Sequence, residues 1–109
     1  MIMFTRVQKS NGHYYLQIVE NYRDGGRVRQ RSVLYVGPYE SIDDALHQIP
    51  RLSRYWCDRA TRMDIEWMRA EAEADADALD ERLGELRRLV EEHPDLVEQD
   101  RARVQRQRM

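Results

Sequence analysis

Cysteine is almost absent from this 109-residue chain. Cys57 stands alone, which excludes an internal disulfide, a secreted disulfide scaffold and a cysteine cluster for zinc. Its default reading is a buried structural thiol. Long apolar runs are missing as well. No segment approaches the length that crosses a bilayer, and the N-terminal MIMFTRVQKS lacks the apolar stretch of a secretion signal. The expected location is cytoplasmic, with no membrane partner. His13, His47 and His93 are scattered, with no carboxylate or cysteine at ligand spacing, so no metal site is expected. There is no glycine-rich phosphate loop, serine elbow or HExxH motif. Acidic pairs such as Asp43-Asp44 and Glu91-Glu92 lie among other charges and read as solvated faces. No catalytic residue, cofactor or small-molecule substrate follows from this sequence, and the chain is not expected to be an enzyme.

What is present is charge, unevenly placed. The total of −2 hides a basic beginning. Residues 1–39 hold Arg6, Lys9, Arg23, Arg27, Arg29 and Arg31 against Glu20 and Asp24, a net of +4, which leaves −6 for the remainder. The last nine residues turn basic again through Arg101, Arg103, Arg106 and Arg108. With 35% of residues charged, any core will be modest, and the length fits one domain or a small domain with a helical appendage. An asymmetry of this kind speaks of partners more than of fold.

The stretch Tyr22–Gly37, YRDGGRVRQRSVLYVG, organises the rest. Asp24-Gly25-Gly26 tolerates the positive φ of a tight hairpin turn. Strict alternation after it places Arg27, Arg29, Arg31, Val33 and Tyr35 on one face, and Val28, Gln30, Ser32, Leu34 and Val36 on the other. Upstream, Ile2–Lys9 and His13–Tyr22 read as strands joined by Asn11-Gly12, a strong two-residue hairpin signal. Tyr14, Leu16, Ile18 and Tyr22 share a face broken only by Glu20. Three sequential strands with short turns make an antiparallel meander.

Helices follow. Gly37-Pro38 ends the third strand, and Ser41 with Asp44 three residues on has capping-box spacing. Ile42, Ala45, Leu46 and Ile49 then form an apolar stripe to lie against the sheet, and Pro50 is expected to stop or kink that helix. Thr61 and Asp64 offer another cap, though one helix can also be read straight through them. Beyond, Ile65, Ala72, Ala76, Leu79, Leu83, Leu86 and Val90 fall on a heptad seam, with Arg69 interrupting it. That seam pairs the long helix either with the final helix or with a second copy of the chain. His93-Pro94 ends it, and Asp95 can cap a short terminal helix. The fold class expected is α+β: a three-stranded antiparallel β-meander, a packing helix, a long heptad-bearing helix and a short C-terminal helix. The corresponding division is a basic meander (1–39), a packing-helix region (40–61) and an acidic helical hairpin or coiled coil with a basic end (62–109).

The arginine row is the chief candidate site. Three guanidiniums on one strand face cannot be buried unpartnered. Arginine neutralises phosphates and forks onto guanine in a major groove wide enough for a two-stranded ribbon. The candidate nucleic-acid-binding set is Arg6, Lys9, Arg23, Arg27, Arg29 and Arg31. Pairing with the 14 acids between Asp64 and Asp100 is the competing reading. The six tyrosines fit sheet packing better than base stacking. Trp56 and Trp67, eleven apart, suit one helical face in a core or interface.

FTRVQKSNGHYYLQIVENYRDGGRVRQRSVLYVGPYES resembles the N-terminal segment of DDE-type insertion-sequence transposases. The matching pieces are Arg6–Ser10, Val19–Arg23, Gly26–Arg31 and Val33–Gly37. The resemblance implies a segment that helps engage transposon DNA ahead of a ribonuclease-H-like catalytic domain. The residues after it are too few and too helical to supply that domain, so what is implied is a free-standing relative of the accessory segment, or a remnant. No catalytic residue carries over. Two functions follow. The first is a small non-enzymatic DNA-binding protein of mobile-element origin. The second is a homo-oligomeric interaction module built on the acidic heptad helix, without nucleic-acid binding.

Overall fold

A computed structural model of the chain describes residues 2–108. Strand β1 (Ile2–Ser10), β2 (His13–Asp24) and β3 (Arg27–Gly37) form one antiparallel sheet in the order β1-β2-β3. Both turns are two residues long and left-handed at both positions. Asn11 and Gly12 have φ of +52° and +80°, and Gly25 and Gly26 have +57° and +82°. Such turns match the twist of the strands they join, which fixes the register of both hairpins. Three helices complete the fold: α1 (Ile42–Thr61), α2 (Glu66–Glu92) and α3 (Pro94–Arg108). No described helix is long and apolar enough to cross a membrane. The architecture is α+β, as the residue pattern predicts.

The core lies between one sheet face and the helices. Leu16, Ile18, Leu34 and Val36 meet Ile42, Ala45 and Ile49 of α1, Leu83, Leu86 and Leu89 of α2, and Leu96 of α3. Ser41 caps α1 by accepting the Asp44 N–H at 3.0 Å. At Gly37 the chain takes φ +136° to leave the sheet, and an added Cβ would stand 2.7 Å from the buried Tyr39 ring. Glycine is the residue that fits there.

Three local expectations are corrected. Pro50 does not stop α1, which runs on to Thr61. The missing N–H and ring clash are outweighed by burial on both sides, Ile42, Ala45 and Ile49 before and Ser53 and Ala60 after. Thr61 and Asp64 cap nothing: Ile65 occupies the position before α2, without a side-chain bond. The third correction concerns β3. Its pairing with β2 slips between Ile18↔Leu34 and Val19↔Ser32, so Val33 is an extra residue, and Val36 is a second one nearer the strand end. Paired residues share a face. Arg31, Arg29 and Arg27 pair with Glu20, Tyr22 and Asp24, which lie on the Leu16–Ile18 face. The bulge at Val33 therefore turns the arginines onto the face of Leu34, away from Tyr35.

The elements are locked by a buried carboxylate. Asp100 of α3 is 1% exposed. Its Oδ1 accepts from the Thr5 hydroxyl of β1 and from Arg103 Nη2, and its Oδ2 accepts from the Ile42 N–H at the start of α1, each at 2.7 Å. Arg103 also donates to the Glu40 carbonyl at 2.7 Å. Nearby, Arg101 forks onto Asp43 at 2.8 and 3.0 Å. Arg101's hydrogen bond holds the Asp43 carboxyl below its ordinary 3.8.

Asp100→Ala is expected to cost about 3–5 kcal/mol in urea unfolding, because it strands Arg103 and two other buried donors. Asp43→Asn, at a solvent-exposed pair, is expected to cost under about 1 kcal/mol at neutral pH. The depressed folded value means this contribution is complete above pH 3.8 and drains away as the pH falls through the folded value. Melting curves of wild type and Asp43→Asn should therefore converge in strong acid, and a constant gap would refute the pairing.

Candidate nucleic-acid interface

Beyond Glu20, no described residue of the β2–β3 ribbon is buried until Leu34. The ribbon leaves the helical cover and carries the three arginines with it. Alternate strand positions put their Cα atoms about 6.6 Å apart. Arg29 meets Asp24 through Nε at 3.4 Å. Arg31 forms an ion pair with Glu20 and stacks its guanidinium 5.2 Å from the Tyr22 ring centroid. Glu20 is only 8% exposed, and Arg31 gives that sheltered carboxylate a partner. The acids that engage Arg29 and Arg31 here belong to the ribbon itself.

The other three candidates are dispersed. Arg6 pairs in register with Gln17 and Arg23 with Val28, which sets both on the opposite sheet face. Lys9 sits over the Tyr14 ring at 5.5 Å, beside the Asn11-Gly12 turn. Six positions along β2 take Tyr14 to Glu20, the partner of Arg31, about 20 Å of strand. Arg27, Arg29 and Arg31 form a coherent patch; Arg6, Lys9 and Arg23 do not join it.

The seam of the long helix is used within the chain. Ala72, Ala76, Leu83 and Leu86 are buried, and Leu79 and Val90 are half-buried against the core. The first part of α2 packs on α1, where Ser53 donates to Asp80 Oδ1 at 2.5 Å. Ile65 is half exposed, outside the helix. Two further expectations are overturned: Cys57 is exposed, and Trp67 is 66% exposed. Neither belongs to the core because both lie where α1 and α2 extend past it. No group of histidine, cysteine and carboxylate residues suited to a metal ion occurs among the described residues.

The sequence reading missed a second basic region, Arg51, Arg54, Arg59, Arg62 and Arg69, around the α1–α2 connection. The three-residue steps from Arg51 to Arg54 and from Arg59 to Arg62 were a signal, obscured by the acids that follow.

No curated protein and no solved structure matched the chain. One family model does, described as IS1634 family transposase, N-terminal domain, and it matches residues 4–103, nearly the whole chain. The span takes in the meander and reaches through most of α3, well past the forty residues that carried the resemblance. The chain belongs to the IS1634 family of transposase N-terminal domains.

Proposed function

We propose that the protein is a non-catalytic DNA-binding domain that grips duplex DNA with the arginine face of the β2–β3 ribbon. The observation that carries this reading is the uncovered ribbon with Arg27, Arg29 and Arg31 on one face. A two-stranded ribbon is narrow enough for the major groove, and guanidiniums fork onto phosphates or guanine edges. The family name supports the choice of DNA, since transposases act on it. Glu20 and Asp24 restrain Arg31 and Arg29 through their ion pairs, which reduces the side-chain freedom lost on binding. They also compete with phosphate, so binding exchanges an internal partner for an external one.

The helices serve this site as support. Leu83, Leu86, Leu89 and Leu96 complete the core, so deletion of residues 62–109 would unfold the sheet and test nothing. Substitution is the informative route. Arg27→Ala, Arg29→Ala and Arg31→Ala together are expected to weaken duplex binding in fluorescence anisotropy. They should also lower the slope of log affinity against log salt by roughly 0.9 for each phosphate that is no longer neutralised. An unchanged slope, in protein that melts as a folded domain, would remove the ribbon from the interface. Glu20→Gln keeps the shape but removes the competing charge. It is expected to raise duplex affinity severalfold while lowering the melting temperature, because Arg31 loses its ionic partner. Weaker DNA binding by folded Glu20→Gln would contradict the competition.

A further inference from the structure

The α1–α2 hairpin extends past the core, and its end is unlike a merely solvated tip. Five arginines lie along the half of α1 that leads to it and the start of α2: Arg51, Arg54 and Arg59 on α1, Arg62 just after it, and Arg69 in the first turn of α2. Among the described residues none of the five has a carboxylate within ion-pair distance. Arg59 donates to the Tyr55 hydroxyl at 2.8 Å and lies 6.0 Å from that ring's centroid, Arg51 meets His47 at 3.3 Å, and Arg69 donates to the Met63 carbonyl at 3.1 Å. None of these neighbours carries a negative charge. Asp58, Asp64 and Glu66 are the acids of the same span, so residues 51–69 carry a net of +2.

Flat apolar groups are set among these charges. Trp67 is the most exposed large apolar residue of the described chain, at 66%, and Leu52, Tyr55, Ile65 and Met68 are exposed beside it in sequence. Trp56 stacks edge-on against Tyr55 with centroids 5.3 Å apart. On α1 the buried positions Ile49, Ser53 and Ala60 face α2 and the core, which turns Arg51, Tyr55 and Arg62 to the opposite side. Arg51, Leu52 and Tyr55 there line a shallow cleft with His47 and Gln48. The feature to explain is the combination of several exposed apolar and aromatic side chains with arginines; duplex phosphates would need only the arginines. Unpaired bases need both: a π-face to stack on and cations for the flanking phosphates.

We infer that the end of the α1–α2 hairpin is a second nucleic-acid contact, which takes unpaired bases on Tyr55 and Trp67 and their phosphates on Arg51, Arg54, Arg59, Arg62 and Arg69. Charge complementarity with a polyanion selects this occupant over a second copy of the chain, whose matching patch would bring like charges together. The inference shares its ligand class with the ribbon reading but stands on other residues, so either can fail alone. The distance separates them too. Helix α2 runs 27 residues from the tip to Glu92, about 40 Å, and His93 after it lines a cleft with Glu20.

Trp56 and Trp67 are the only tryptophans, so intrinsic fluorescence of the full chain reads the site directly. A thymine oligonucleotide of about 15 residues, a length within the single-strand site sizes known for stacking proteins, is titrated at low salt beside a duplex of equal length. The expected result is quenching by the single strand. Tyr55→Ala with Trp67→Ala should lose at least about tenfold in single-strand affinity, read by anisotropy, while circular dichroism stays unchanged. The Arg27, Arg29 and Arg31 alanine variant should keep single-strand quenching and lose duplex binding. Single-strand binding with no duplex binding by wild type would sink the ribbon reading and leave this one standing. Absence of quenching, or full single-strand affinity in the Tyr55/Trp67 variant, overturns the inference. So does concentration-dependent dimerisation in sedimentation that vanishes with Trp67→Ala, which would make the tip a self-interface, or a blue shift with anionic vesicles and none with the oligonucleotide.

Discussion

A carboxylate buried at the junction of three elements determines how this small domain closes. Asp100 lies 95 residues from Thr5 and 58 from Ile42, yet it bonds both. Helix α3 brings only one other buried residue, Leu96, so hydrophobic burial alone would hold it weakly. Asp100 supplies what is missing. It satisfies a backbone donor at the start of α1 that the Ser41 cap does not reach, and fixes the β1 edge through Thr5. It takes its countercharge from Arg103, three residues on in its own helix. Negative charge at a helix N-terminus is favoured by the exposed peptide dipoles as well. The contacts of Arg101 with Asp43 and of Arg108 with Glu40 repeat the same pairing at the surface.

Closure at that junction leaves two projections. The ribbon holds its charges in pairs, while the hairpin tip sets its charges beside aromatic rings and carbonyls. Lys9 is the only lysine among 18 basic residues, so both projections rely on guanidinium chemistry. A planar fork can bond in its plane and stack on its faces, and the structure uses both: Arg31 with Glu20 and Tyr22, Arg59 with the hydroxyl and ring of Tyr55. The acids of α2 are spread along a helix whose buried side is taken by α1 and the core.

Much of this was legible because the controlling signals are local. Asn11-Gly12 and Gly25-Gly26 have few alternatives to a primed turn, Ser41 is a helix start of ordinary kind, and alternation marks three strands. The comb of Arg27, Arg29 and Arg31 also follows from period two. What escaped depends on distant partners. Asp100 reads in sequence as one more acid in an acidic stretch. The proline rule at Pro50 was overridden by packing on both sides of it. The heptad seam of α2 states that a partner exists but cannot name α1, since α1 presents small residues, Ser53 and Ala60, in place of a matching heptad. The exposure of Trp67 was hidden for a related reason: spacing shows which residues share a helix face, and not where the core ends.

Val33 has a consequence of its own. The side of the sheet from which the arginines emerge is set by the bulge at Val33, which puts Arg31 opposite Glu20. An unbroken ladder that paired Val33, with every arginine retained, would send the row out beside Tyr35 instead, leaving Glu20 without its cation. A chain lacking Val33 would need no bulge and would still set Arg31 opposite Glu20, so the surface depends on that residue staying outside the ladder.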